Sequence, residues 1–356
     1  MNATKGDYAE VNGLRMYYEV HGEGRPLVVL HGAYMTVDAM GSILPSLAES
    51  RRVIVPEMQG LGRTADIERP ITYEGMADDV AALIRHLGLD RPDAFGYSMG
   101  GGVALQLAIR HPGSVRRLVV ASASYTSEGM QPELHEMIPT ITPEMFSGSP
   151  MEASYQDLAP NPEDFPTLVE KLKRLDMTPF DWPSEDVRGI GAPTMIVVGD
   201  SDAVRLEHAV EMFRLLGGGA MGDLSGLPDS QLLVLPGTAH FVPPGSGVLD
   251  RAGWLVPMIG RFLDAPAEEA APSAGAGREA RPGRGRPGTR RRPASSGDVS
   301  TAPARDAGSD HDRPASLLPI RFPLWVAEIG AGFGRVEPSD LRTAAGRLGT
   351  VAADRP

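Results

Sequence analysis

The chain is predicted to be an α/β protein, a mostly parallel sheet with helices on both faces and a small helical cap. Two observations carry that expectation. Continuous apolar runs of the buried, parallel type recur in "LVVLHG", "RRVIVPEMQG", "DAFGYS", "VRRLVVASA" and "APTMIVVGDSDAV". Segments of helical period alternate with them. In "YEGMADDVAALIRHLGL", Met76, Val80, Leu83, Ile84 and Leu87 share one stripe, and Gly88 offers a C-terminal stop.

Taken in order, residues 7–20 predict two short strands joined at Asn12-Gly13, a dipeptide suited to a tight hairpin with positive φ. The strand "DAFGYS" leads into the helix "GGVALQLAIRHP" and the strand "VRRLVVASA". From Tyr125 to Pro183 the alternation stops, and a stretch rich in Met, Pro, Phe and acidic residues predicts a helical insertion over the sheet, about 125–185. The pattern resumes at "APTMIVVGDSDAV" and runs through the helix "LEHAVEMFRLLG", the strand "QLLVLPGTAHF" and the helix "GWLVPMIGRFLDA". One domain, 1–264, is therefore expected. Residues 265–316 are rich in Pro, Gly, Ala and Arg and are expected to be a disordered linker, because they hold too little apolar surface to offset ordering entropy. Residues 317–356 form an extension of unassigned role. Its "LWVAEIGAGFGR" suggests a strand and glycine-rich turn, but too few residues follow to complete a nucleotide-binding unit.

Composition narrows the chemistry. There is no cysteine, so thiolate nucleophiles, disulfides and zinc thiolate sites are excluded. The net charge of −12 argues against nucleic acid as a partner, although the tail is mildly basic. The N-terminus lacks the basic start and apolar run of a signal peptide, and no stretch has the length of a membrane span. A cytoplasmic protein without membrane association is expected.

The candidate site begins at "FGYSMG", where Ser98 stands between Gly96 and Gly100 at a strand-to-helix junction. Small residues at that spacing let the backbone turn sharply and its neighbours crowd in. A serine hydroxyl needs a base to take its proton, and the base needs a carboxylate to fix its tautomer. Of eight histidines, His240 lies just after the last predicted strand. Asp200 and Asp202 lie beyond the end of the strand before it. Ser98, Asp202 and His240 give a serine–acid–histidine order along the chain.

Residues 7–264 resemble the α/β-hydrolase superfamily, within it the small esterase, lactonase and cofactor-free haloperoxidase-like branch, through "LVVLHGAY", "PEMQGLGRT", "FGYSMGGGVALQLAIRHP", "IVVGDSDAV" and "VLPGTAHF". The resemblance implies the α/β-hydrolase fold, with Ser98 as nucleophile, His240 as general base and Asp202 as its orienting acid, since the pattern G-x-x-D falls on Gly199 and Asp202. It implies an oxyanion hole from the backbone N–H groups of Ala33 and Met99. His31 is expected to be a structural histidine. Serine rather than aspartate at position 98 argues against the haloalkane dehalogenase and epoxide hydrolase branches. No metal and no organic cofactor is implied. The expected activity is hydrolysis of a small-molecule carboxylic ester or lactone through an acyl-enzyme. The alternatives are perhydrolysis or acyl transfer by the same triad, and a ligand-binding protein with little turnover. Tyr34, Met35, Met145, Phe146, Phe180, Trp182 and Phe241 are candidates to line an apolar substrate pocket.

Overall fold

A computed structural model describes residues 5–241 and 245–266. The linker from residue 267 onward and the C-terminal extension expected from the sequence, including "LWVAEIGAGFGR", lie outside these residues. Eight strands form one sheet: β1 (Lys5–Val11), β2 (Leu14–His21), β3 (Arg25–Leu30), β4 (Arg51–Pro56), β5 (Asp93–Tyr97), β6 (Leu118–Ala121), β7 (Thr194–Ser201) and β8 (Gln231–Ala239). Their spatial order is β1-β2-β4-β3-β5-β6-β7-β8. β1 and β2 pair antiparallel with Val11 opposite Leu14, and Asn12 and Gly13 both take positive φ in the turn between them. β2 meets β4 antiparallel, and all later pairings are parallel.

This order fixes where a ligand can reach. From β3 the chain passes to β4 on one side and then crosses back to β5 on the other. The connections therefore diverge beyond the carboxyl ends of β3 and β5, leaving a crevice at the switch point of the parallel sheet. His31-Gly32-Ala33 follows β3 and Ser98 follows β5, so both arrive at that crevice.

Both faces of the central strands are buried, which is why they read as unbroken apolar runs. Period two divides each strand between two cores: Val28 and Leu30 pack into one, Leu27 and Val29 into the other. The first core lies under α2 (Tyr73–His86), α3 (Met99–Arg110) and the insertion, and the second holds buried residues of α1 (Ile43–Ala48) and of the C-terminal helix. Full burial of a Leu or Val side chain such as these contributes about 1.5–3 kcal/mol.

Between β6 and β7 run four short helices, α4 (Pro132–Met137), α5 (Pro150–Leu158), α6 (Phe165–Met177) and α7 (Ser184–Arg188). Proline in the first turn of α4, α5 and α6 sets φ for the helix start without removing a needed donor. The same prolines break the segment into pieces too short for sequence periodicity to separate. On α6, Phe165, Leu168, Val169, Leu172 and Leu175 form a buried stripe that joins the core above the crevice. After β7 come α8 (Leu206–Leu215), α9 (Gly222–Ser225), β8 and α10 (Ala252–Asp264). The helix α1 was not anticipated. No helix among the described residues is long and apolar enough to cross a membrane.

Candidate active site

Ser98 occupies the one-residue turn between β5 and α3 with φ 54° and ψ −122°, a region that non-glycine residues rarely enter. The surrounding glycines make the turn possible. A Cβ on Gly96 would stand 2.1 Å from the Gly100 carbonyl oxygen, and one on Gly100 would stand 2.3 Å from the Leu30 carbonyl oxygen. Strand and helix thus approach more closely than any side chain permits, and the Ser98 hydroxyl projects into the crevice.

His240 follows β8. Its Nε2 lies 2.9 Å from Ser98 Oγ and its Nδ1 lies 2.8 Å from Asp202 Oδ1. An ionised carboxylate can only accept, so Nδ1 carries the proton toward Asp202 and Nε2 is left to accept from the Ser98 hydroxyl. The Asp202 side chain is fully buried while the His240 side chain keeps 15% exposure. Burial pushes the Asp202 carboxyl up, but His240 and the hydrogen bonds from Ser122 and Gly199 outweigh it and hold the carboxyl below its usual range. The partners of Asp202 are Ser122 Oγ at 2.6 Å, the Gly199 N–H at 3.0 Å and the Val204 N–H at 3.3 Å.

Asp200 faces elsewhere. Its carboxylate accepts from the Gly237 and Thr238 N–H groups at 2.8 and 3.0 Å, tying down β8 where its register against β7 shifts, just before His240. Those two hydrogen bonds also hold its carboxyl below the usual range. Gly199 is required by the same close approach, since a Cβ there would meet the Thr238 carbonyl oxygen at 2.1 Å.

The Met99 amide sits at the first position of α3, where no helical carbonyl precedes it. Neither it nor the Ala33 amide donates to a hydrogen bond among the described residues. Gly32 packs against Ser98, with 3.4 Å between Ser98 Cβ and the place a Cβ on Gly32 would take. Two unengaged donors therefore flank the serine, an arrangement able to receive a developing oxyanion. His31 is fully buried. Its Nδ1–H donates to the Gly32 carbonyl at 2.9 Å, and its Nε2 accepts from the Met58 N–H at 3.3 Å. Burial lowers its pKa to about 4, so it is a neutral brace beneath the loop.

The candidate substrate residues separate into two groups. Tyr34 stacks on Phe146 at 5.1 Å, Phe180 packs on Trp182 at 4.9 Å, and Phe241 meets the His240 ring edge-on at 5.7 Å. Met145 packs against the same core. Met35 is buried in the second core, its Sδ 3.0 Å from where a Cβ on Gly32 would stand. A cavity of about 490 Å³ opens beside Phe180, Tyr125 and His208, but none of Ser98, His240 and Asp202 lines it. Among the described residues no group of three or more His, Asp or Glu side chains could hold a metal ion.

Two contacts escaped sequence reasoning. Ser122, at positive φ after β6, reaches Asp202, and Tyr97 donates its hydroxyl to the His240 carbonyl at 2.8 Å while stacking on the imidazole at 5.3 Å. Tyr97 was visible inside "FGYSMG", yet nothing in that motif shows which strand-end backbone its ring will meet. Ser122 and Ser124 are indistinguishable in "VVASAS" until the end of β6 is placed beside β7.

Fold and crevice define an α/β hydrolase. Residues 25–175 match the family described as the α/β hydrolase fold, and the chain belongs to that superfamily. It is 40% identical over 115 residues to a soluble epoxide hydrolase of Corynebacterium sp. (strain C12), covering 32% of this chain and 39% of that protein. It is 29% identical over 241 residues to a 2-hydroxy-6-oxo-2,4-heptadienoate hydrolase of Pseudomonas putida, covering 61% and 86%. The chain thus spans about two fifths of the length of the first of these relatives. Among solved structures, a serine hydrolase involved in carbazole degradation superposes with a TM-score of 0.56 at 22% identity, over 73% of this chain and 99% of that one.

Proposed function

We propose that the protein is a serine hydrolase that cleaves a carboxylic ester or lactone through an acyl-enzyme. The observation that carries this reading is the 2.9 Å contact from His240 Nε2 to Ser98 Oγ, with Nδ1 of the same ring on the buried Asp202 carboxylate. Ser98 Oγ attacks the carbonyl carbon as its proton passes to His240 Nε2. The resulting oxyanion is held by the Ala33 and Met99 N–H groups. As the tetrahedral adduct collapses, the carbon–oxygen bond to the alcohol breaks and His240 returns the proton to the leaving oxygen. In a lactone that oxygen stays tethered to the acyl chain. Water, deprotonated by His240, then attacks the acyl-enzyme, releasing the acid and restoring Ser98. Asp202 stabilises the imidazolium in both halves without taking its proton.

A serine at position 98 with an acceptor nitrogen beside it supports attack on a carbonyl. Tyr34, Phe146, Phe180, Trp182 and Phe241 are proposed to shape the acyl and alcohol sites, with α6 above them. Labelling with a fluorophosphonate probe, together with turnover of p-nitrophenyl butyrate, tests the reading. Wild-type protein is expected to label at Ser98 and to hydrolyse the ester, and Ser98→Ala to do neither. A folded protein that neither labels nor turns over any member of an ester and lactone panel of graded size overturns it. Beside the panel, 2-hydroxy-6-oxo-2,4-heptadienoate, the compound in the name of one relative, serves as a substrate with no ester bond, and turnover of it alone also overturns the ester or lactone reading.

A further inference from the structure

We propose that the cavity at the neck of the insertion is a second ligand site, separate from the serine crevice, and that it receives an aliphatic polyammonium ion. The neck is where the chain leaves the sheet after β6 and returns before β7. Its two stems are tied together by three hydrogen bonds. The Ser127 N–H donates to the Phe180 carbonyl at 2.8 Å, the Trp182 N–H to the Tyr125 carbonyl at 3.1 Å, and the Phe180 N–H to Ser127 Oγ at 2.8 Å. The cavity of about 490 Å³ lies between these stems and the start of α8, walled by residues 125–128, by residues 179–181 and by Arg205, Glu207, His208 and Glu211. A space of that size falls in the range of sites that hold small molecules, about 300–1,000 Å³. Neither the site nor its ligand depends on chemistry at Ser98.

The lining selects the charge of the ligand. Four carboxylates, those of Glu128, Asp181, Glu207 and Glu211, stand around the cavity against the single guanidinium of Arg205. Glu211 accepts from the Tyr125 hydroxyl at 2.7 Å. The side chains of Glu128, Asp181 and Glu207 are exposed and make no hydrogen bond and no ion pair among the described residues. Arg205 does not compensate them, since its guanidinium donates to the Glu128 backbone carbonyl at 3.3 Å. His208 adds no positive charge. It is buried, its Nε2 accepts from the Tyr125 N–H at 3.2 Å, and desolvation lowers its pKa, so the ring is neutral. The same ring stacks on Tyr125 at 4.7 Å and fixes that wall. Tyr125 and Phe180 offer apolar surface to a methylene chain and ring faces that attract ammonium. Cationic nitrogens spaced along an alkane meet both demands, whereas an anion would be opposed by the carboxylates.

Isothermal titration of the full chain at about 150 mM NaCl, where the field of the whole acidic protein is largely screened, tests the assignment. The probes are spermidine, 1,8-octanediol and octanedioate, linear molecules of similar length with positive, no and negative charge. Spermidine is expected to bind at one equivalent, about tenfold or more tighter than the diol, and with the same affinity in wild type and Ser98→Ala; octanedioate is expected not to bind. Replacing Asp181→Asn and Glu207→Gln together should weaken spermidine about tenfold. Replacing Glu49→Gln and Glu68→Gln, which removes as much charge from exposed positions that do not line the cavity, should leave the affinity within about twofold. Arg205→Gln should tighten binding about threefold, a gain that a damaged fold does not produce. The assignment is overturned by an absence of saturable spermidine binding, by a diol or dianion that binds as tightly, by loss of binding in Ser98→Ala, by equal weakening in the two double variants, or by an Arg205→Gln protein that binds no tighter than wild type.

Discussion

Ser122 Oγ donates to Asp202 Oδ2 at 2.6 Å, on the oxygen opposite the one that meets His240. The carboxylate is thereby held at both ends, so its plane and the imidazole ring are set together. Asp202→Asn is expected to lower kcat by about 10³–10⁴, because an amide can present a donor to Nδ1 and so stabilise the wrong tautomer. Ser122→Ala is expected to lower kcat by about tenfold, the worth of one orienting hydrogen bond. The bond also helps hold the Asp202 carboxyl below its usual range. Its loss lets that carboxyl take up a proton at higher pH, so the acid limb of the kcat profile should move upward. Stopped-flow ester hydrolysis, with pH jumps from below the ordinary carboxylate range up to neutral, reads both effects. An unmoved acid limb would make Ser122 a packing residue.

The turn at Ser98 predicts a sharp contrast between two glycines. Gly100→Ala would place Cβ 2.3 Å from the Leu30 carbonyl oxygen and 2.6 Å from that of His31, both backbone atoms at the end of β3. The expected destabilisation is about 3 kcal/mol or more, seen as a lowered Tm or loss of soluble protein. Gly260, in the interior of α10, has open space where a Cβ would go. Gly260→Ala is expected to stabilise by about 0.5–1 kcal/mol through helix propensity and to raise Tm by about 1–4 °C.

The two glycines also show what the sequence could reveal. The parallel sheet was legible because period two and buried runs follow from strand geometry alone, and the turn at Ser98 because Gly96, Ser98 and Gly100 answer a local steric demand. His240 could be chosen through its place after the last strand, whereas Asp202 could be preferred to Asp200 only through the G-x-x-D pattern of the family the chain resembles. The contacts that brace them, Ser122 to Asp202 and Tyr97 to the His240 carbonyl, depend on which strands become neighbours. Which of the two cores Met35 joins could likewise not be read from "HGAYM", since it depends on the turn at Tyr34, at φ 59°.

His31 should make the fold sensitive to acid. Buried and neutral, it has a pKa lowered to about 4, against 6.5 for the unfolded chain. Between those values the unfolded state binds the proton and the folded state does not, so stability falls as pH drops from 6.5 and the loss is complete near 4. One proton over that window amounts to about 3 kcal/mol. Urea denaturation at intervals from pH 7 to 4.5 measures the slope. His31→Gln should start less stable at pH 7, having lost the bridge between Gly32 and Met58, and should show a shallower decline.

Asp176 predicts the reverse sign. Its carboxyl is raised to about 7 by desolvation, against 3.8 for the unfolded chain, so within that window the folded state keeps a proton the unfolded state has released. Wild-type stability therefore falls, through this residue, as pH rises from about 4 to 7, and the penalty is full above 7. Asp176→Asn removes it. The variant is expected to match wild type near pH 4 and to exceed it by about 1–2 kcal/mol at pH 8, a value discounted for the partial exposure of the group. Thermal melts across that range should show Tm higher by about 2–6 °C for the variant at pH 8 and converging toward pH 4. A variant less stable than wild type at pH 8 would instead make Asp176 a structural residue of the cap.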